Sequence, residues 1–277
     1  AVYLKAEQKY ITLRTLAREY LLEDSLTRLE EEFGSRFSEF SAAIPGEEAA
    51  TIRFPDMHYV DIHTHHTPHQ ASSGADSYAC IVNLIIATEG QQLPNTPNEN
   101  GIYYSAGIHP WYISDPDQQM ELLRHTCNLP GIVALGEAGL DTLASTPFIL
   151  QEKVFRQQIA LSEALCKPLV IHCVKAWQQL ITLKKETAPR MPWVIHGFRG
   201  NKQLAEQLIR QDCWLSFGEK FNPEALRAAY PNRILAETDE SLLSIQKIYQ
   251  QLADTSGIDA QLFSNTLREN VRTVFTI

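Results

Sequence analysis

The sequence predicts a TIM-type (β/α)8 barrel with an extra N-terminal segment, and three observations carry that expectation. From Met57 onward short apolar runs alternate with helical patterns, the runs number eight, and five of them close on a side chain that binds metals. Strand and helix alternating this regularly imply parallel βαβ crossovers, and eight repeats favour a closed barrel over an open doubly wound sheet. With 277 residues, 44% of them hydrophobic, the chain can bury one large core, and a barrel of this kind needs about 250 residues.

Strands are expected over about 58–63, 79–87, 102–107, 131–137, 168–173, 192–196, 213–217 and 233–238. In Val60-Asp61-Ile62-His63-Thr64-His65 a strand period of two puts Asp61, His63 and His65 on one face, so that two imidazoles aim at one point. The runs 132–137, 168–172, 193–196 and 234–239 end on Glu137, His172, His196 and Asp239, at the carboxyl ends where a parallel barrel assembles its active site. The clearest intervening helix opens at Thr146-Pro147, a capping residue before a proline at the first helical position, and continues through Phe148, Val154, Phe155, Ile159 and Leu165.

No run reaches the roughly 20 apolar residues of a membrane span, and the amino terminus lacks the charged-then-apolar signature of a signal peptide, so a soluble, cytoplasmic protein is expected. The five cysteines are scattered, without a CxxC pair, and are expected as reduced, mostly buried thiols. Net charge is −9, divided into −4 for residues 1–56 (7 basic, 11 acidic) and −5 for the rest (17 basic, 22 acidic). An acidic body argues against tight sequence-independent binding of duplex nucleic acid, which many Lys and Arg contacts to phosphates carry.

Residues 1–56 do not read as a barrel unit. They hold an extended Tyr10-Ile11-Thr12-Leu13-Arg14 stretch, an acidic helical pattern over about 25–37 and a loose linker over 41–47. The segment over 5–37, notably Ala6-Glu7-Gln8-Lys9-Tyr10-Ile11-Thr12 and Glu19-Tyr20-Leu21-Leu22-Glu23-Asp24-Ser25-Leu26, resembles the middle of a LytTR-type DNA-binding domain of response regulators. Half of such a domain cannot bury a core of its own. Met57, just before the first barrel strand, is a candidate alternative start, so the domains are expected as a fused leader over 1–56 and a barrel over 57–277.

Imidazoles and carboxylates at converging strand ends suit Zn²⁺, Mn²⁺ or another divalent ion, and a bridging carboxylate makes a two-metal site possible. Several blocks then stand in order: Asp61-Ile62-His63-Thr64-His65, Gly107-Ile108-His109-Pro110, Gly136-Glu137-Ala138-Gly139-Leu140-Asp141, Gln151 with Phe155 and Gln158, Pro168-Leu169-Val170-Ile171-His172, His196-Gly197-Phe198-Arg199-Gly200 and Glu237-Thr238-Asp239. Together they resemble the TatD-family metal-dependent hydrolases across residues 57–277. The resemblance implies two divalent ions (Zn, Mg or Mn), one held by His63, His65 and Asp239, the other by His172 and His196, with Glu137 bridging. It also implies phosphodiester or related ester hydrolysis, DNA exonucleases being the best-known members, with Asp239 and Glu137 as the catalytic carboxylates and Asp239 taking the proton of the attacking water.

Around that set, His109, Arg199, Lys175 and Lys220 are candidates for substrate contact, as are His66 and His69 in the loop after the His-x-His pair. Asp61, Asp141 and Glu237 are expected to orient the ligands from behind. Where many TatD nucleases have Ser-Arg-Asp-Ala after the strand-five histidine, this chain has Cys173-Val174-Lys175-Ala176, and Glu219 adds negative charge at the mouth. The expected substrate is DNA, single-stranded by preference, with Trp111 or Tyr112 as a base-stacking face. The alternatives are a small amide, lactone or aminoacyl ester at the same centre, and a DNA-binding regulator acting through the leader.

Overall fold

The computed structural model describes the backbone of residues 3–7, 10–14 and 19–22, and residues 58–66, 78–87 and 101–275 in full. The chain divides into two compact units, Ala1–Ile52 and Arg53–Ile277. In the first, β1 (Tyr3–Glu7), β2 (Tyr10–Arg14) and β3 (Glu19–Leu22) pair antiparallel in that order. The extended stretch expected at Tyr10 is β2; the helix expected over 25–37 lies outside the described residues.

The second unit is an eight-stranded parallel sheet curled into a nearly closed barrel, its strands in sequence order. These are β4 (Tyr59–Thr64), β5 (Tyr78–Ile85), β6 (Ile102–Gly107), β7 (Ile132–Asp141), β8 (Leu169–Val174), β9 (Trp193–Ile195), β10 (Cys213–Phe217) and β11 (Ile234–Ala236). Helices α1 (Pro116–Thr126), α2 (Phe148–Leu165), α3 (Trp177–Thr187), α4 (Lys202–Ile209), α5 (Pro223–Ala229), α6 (Ile245–Ser256) and α7 (Ala260–Val274) lie between the strands and after them. Every residue of β7, β9, β10 and β11 is buried, as strands covered on both faces must be. All five cysteines are free thiols, four of them buried. Among the described residues no helix is long and apolar enough to cross a membrane.

The helices start where short polar side chains cap them: Asp115, Asn201, Asn222, Ser244 and Asp259 each accept a hydrogen bond from the first turn. At α2 the expected order shifts by one residue, because Pro147 is itself the N-cap and no side chain caps the helix. Gln151 organises that start instead, donating from Nε2 to the Thr146 and Asp141 carbonyls while its Oε1 accepts from the Asp141 amide.

The seam between β4 and β11 closes the barrel. At its lower end the hydroxyl of Tyr249, from α6, donates to the Val60 carbonyl (3.0 Å) and accepts from the Val60 amide (3.2 Å), satisfying main-chain groups that β11 does not reach. At the mouth the seam closes directly: the Asp239 amide donates to the His63 carbonyl (2.9 Å) and the His65 amide to the Asp239 carbonyl (3.3 Å). Asp239 turns into this position through a left-handed backbone (φ 55°), which aspartate tolerates better than most residues.

Two strand details depart from simple alternation. On β4, Asp61 pairs with Cys80 and Thr64 with Val82, so a stretch of four residues on one strand matches three on the other. This bulge puts Asp61 on the face of Thr64, opposite to His63 and His65, and corrects the expectation of one shared face. β7 also runs four residues past Glu137, which therefore sits within the strand rather than at its end. Gly136 (φ 120°) and Gly139 (φ 151°) let β7 press against β8: a Cβ on either would overlap the Val170 or His172 carbonyl.

Candidate metal centre

Glu137 is the hub of the barrel mouth. Its Oε2 lies 3.5 Å from Nε2 of His63 and 3.5 Å from Nε2 of His65, while its Oε1 lies 2.8 Å from Nδ1 of His172 and 2.8 Å from Nε2 of His196. Asp239 Oδ1 stands 3.8 and 3.6 Å from Nε2 of His63 and His65. The fold thus brings all six expected ligands together, one carboxylate oxygen facing each pair of imidazoles. Burial alone would push the Glu137 carboxyl up, but His196 beside it and hydrogen bonds from His109, His172 and His196 hold it well below the usual range. The Asp239 carboxyl is raised, by burial and by Glu237 nearby.

The donor set fits a divalent cation. His63 is fully buried, yet among the described residues neither ring nitrogen has a hydrogen-bond partner, a costly state unless something else satisfies it. Ligand atoms sharing one ion at roughly 2.0–2.2 Å stand about 3–4 Å apart, the range seen between His63 or His65 and the two carboxylates. Among the described residues three sets have ligand atoms within 4.8 Å of one another: His63, His65 and Glu137; His63, His196 and Asp239; and His109, Glu137 and His172.

His109 belongs to the last set by distance but differs in its hydrogen bonding. Its Nδ1 accepts from the Trp111 amide (3.1 Å), so in the neutral ring Nε2 carries the proton and donates to Glu137 Oε1 (3.1 Å). Burial lowers its pKa, which favours that neutral ring. The buried His109 is therefore placed to donate a hydrogen bond to the hub.

Three carboxylates brace the imidazoles. Asp141 Oδ2 accepts from Trp111 Nε1 (2.6 Å) and faces His172 Nε2 (3.1 Å), while its Oδ1 accepts from the Leu143 amide (2.7 Å). Glu237, wholly buried, accepts from the Gly197 amide (2.6 Å) and stands 3.4 Å from His196 Nδ1. Asp61 acts from the outer face: it accepts from the amide and hydroxyl of Thr238 (3.0 and 2.6 Å) and from the His63 amide (3.4 Å), tying together the two chain segments that carry His63 and Asp239. Burial pushes the Asp61 carboxyl up to about 7, against the pull of the Thr238 hydrogen bonds.

The remaining candidates are dispersed. Arg199 and Lys220 are exposed and line a cavity of about 170 Å³ beside Asp239, shared with Glu219, Glu237 and Glu240. Glu219 accepts from the Ser241 hydroxyl (2.8 Å). Lys175 is exposed and does not line that cavity, and His66 is exposed beside a neighbouring one. His69 lies outside the described residues. Trp111 and Tyr112 are about half exposed in a 3-10 turn, Pro110–Tyr112, beside His109. Sequence reasoning missed Asn83 of β5, which hydrogen-bonds Glu137; the signal was there, since it is the lone polar residue in Ile81-Val82-Asn83-Leu84-Ile85.

A parallel barrel whose mouth gathers imidazoles around a central carboxylate in this way is a metal-dependent hydrolase. The chain belongs to the TatD related DNase family, whose profile matches residues 60–276. Over 199 residues it is 27% identical to the uncharacterized metal-dependent hydrolase YabD of Bacillus subtilis, covering 64% of this chain and 78% of that one. Over 203 residues it is 29% identical to the 3'-5' ssDNA/RNA exonuclease TatD of Rahnella sp., covering 62% of this chain and 76% of the relative. The crystal structure of YJJV, a TatD homolog from Escherichia coli K12, shares the fold with a TM-score of 0.64 and 21% identity, over 80% of this chain and 99% of that one.

Proposed function

We propose that the chain hydrolyses phosphodiester bonds at the ends of single-stranded nucleic acid, DNA foremost, with two divalent ions. The observation that carries this reading is the Glu137 carboxylate, with one oxygen toward His63 and His65 and the other toward His172 and His196. His63, His65 and Asp239 would hold one ion and His172 and His196 the other, with Glu137 between them. Such ions, when bound, lower the pKa of water and polarise the phosphoryl oxygen under attack. Asp239, whose carboxyl is raised by burial, would accept the proton of the attacking water. His109, as an Nε2–H donor, steadies Glu137 Oε1.

Relatives named 3'-5' ssDNA/RNA exonuclease support the nucleic-acid substrate. Charge and shape support a preference for unpaired ends: Glu219 and Glu240 stand beside Arg199 and Lys220 in the cavity next to Asp239, and half-exposed Trp111 and Tyr112 offer faces on which unpaired bases stack. A second reading, a small amide, lactone or aminoacyl ester as substrate, is favoured by the carboxylates of Glu219, Glu237 and Glu240 in that same cavity.

The test is to load the protein with Zn, Mn or Mg in turn and follow matched single-stranded, blunt duplex and circular DNA at fixed salt beside a panel of esters and lactones. Cleavage fastest on the linear single strand, and slowed by Trp111→Leu more than by Trp111→Phe, is expected. Faster cutting of circular duplex would exclude action from ends, and turnover of esters alone would select the second reading.

A further inference from the structure

Asn83 lies toward the carboxyl end of β5, directly beside Ser105 of β6 in the strand register, and both are buried. A polar side chain in the wall of a barrel costs free energy unless its hydrogen bonds are met, and those of Asn83 are met by the candidate centre itself. Its Oδ1 accepts from the Glu137 amide (2.9 Å) and from the Ser105 hydroxyl (3.2 Å), and its Nδ2 donates to Glu137 Oε2 (3.4 Å). The main-chain N–H of Glu137 can only donate, which identifies its partner as the amide oxygen, so the amide has a single consistent orientation and its NH₂ faces the carboxylate.

We propose that Asn83 is a positioning residue that fixes Glu137 as the bridge between the two ions, an inference that rests on the two-ion reading above. The terminal torsion of a glutamate is broad, so the side chain itself does not fix the plane in which its two equivalent oxygens are aimed at the two pairs of imidazoles. Asn83 grips the residue at both ends, main-chain amide and Oε2, and so holds Oε2 toward His63 and His65 and leaves Oε1 to His172 and His196. The Ser105 hydroxyl adds a second hydrogen bond to the Asn83 Oδ1 that the Glu137 amide already holds.

Two variants of the full chain, compared with wild type, decide the matter. Asn83→Asp keeps the acceptor for the Glu137 amide and the Ser105 hydroxyl, so the barrel is retained, but it removes the donor to Oε2; Asn83→Leu removes all three bonds without adding charge. Titration with Mn²⁺, read by ion stoichiometry and by the exchange-coupled electron paramagnetic resonance signal of a close ion pair, should give two coupled ions in wild type. In both variants binding of the second ion should weaken by about 10–100-fold and the coupled signal should disappear, with thermal melting of Asn83→Asp close to wild type. On the substrate that wild type turns over, kcat should fall while KM stays within about twofold. Second-ion binding in Asn83→Asp equal to or tighter than wild type, with the coupling intact, overturns the proposal. Weakening in Asn83→Asp but not in a folded Asn83→Leu assigns the effect to the new charge and overturns it too. Wild type that takes up no second ion overturns the two-ion reading itself.

Discussion

Lys167 shows how far a single side chain can be bound to its fold. Its Nζ donates to the carbonyls of Cys127 and Ile132 (2.5 and 2.8 Å), so one ammonium ties the residue after α1 to the start of β7. Lys167→Met leaves both acceptors unpaired and should lower the unfolding free energy by about 1–3 kcal/mol. Burial lowers the Lys167 pKa from 10.5. The unfolded chain therefore holds that proton more tightly, and this lysine adds stability as pH rises toward 10.5. Urea melts at neutral and alkaline pH should show the gap between wild type and Lys167→Met widening with pH; a constant gap would mean that Lys167 keeps its ordinary pKa. At the hub, Glu137→Ala removes the carboxylate that both pairs of imidazoles face, and metal analysis should show lower ion occupancy together with lower turnover. Undiminished two-ion occupancy in that variant would refute the bridging role.

Single elements place the ligands with little freedom. β7 presents Glu137 from within its length because glycines on either side let it lie against β8, and at Gly139 a methyl group would meet the His172 carbonyl. Gly139→Ala forces the two strands apart and should cost about 1–3 kcal/mol or more, read as a lower midpoint in thermal melting. A midpoint equal to that of wild type would show that the strands can separate there freely. The bulge in β4 does comparable work, keeping His63 and His65 inside while turning Asp61 outward onto Thr238. The 3-10 turn after His109 fixes the tautomer of that ring through the Trp111 amide and carries the Trp111 indole to Asp141.

For the whole molecule, the candidate centre sits on the seam where the barrel closes, since the main chain of His63 and His65 bonds that of Asp239. The main-chain bonds that close the barrel at its mouth are thus the ones that set His63, His65 and Asp239 side by side. All six expected ligands lie after Met57, within the compact unit Arg53–Ile277. A chain starting at Met57 should therefore fold and keep the metal content and turnover of the full chain, measured by circular dichroism, metal analysis and hydrolysis side by side. Loss of folding on that truncation would show that residues 1–56 supply part of the barrel's stability. Binding of single-stranded DNA should depend only weakly on salt, because a log–log slope of about −0.7 per phosphate contact accrues over few cations, and Arg199→Gln or Lys220→Gln should each flatten it by about that amount.

The barrel and the candidate ligands were readable from the sequence, because period-two apolar runs and helical repeats are local and because imidazole and carboxylate side chains in or beside such runs are visible one by one. Asp239, His172 and His196 were legible in this way. Tertiary structure alone decided which face Asp61 takes, since a bulge of one residue reverses the alternation and depends on the neighbouring strand. It also set the hydrogen bonding of His109, which lies within reach of Glu137 while its Nδ1 accepts from the Trp111 amide. It also decided the part played by Asn83, which in sequence is one polar letter in an apolar strand. Only the pairing of β5 with β6, and the approach of β7 beyond it, sets the amide of Asn83 against Ser105 and Glu137, residues 22 and 54 positions away along the chain.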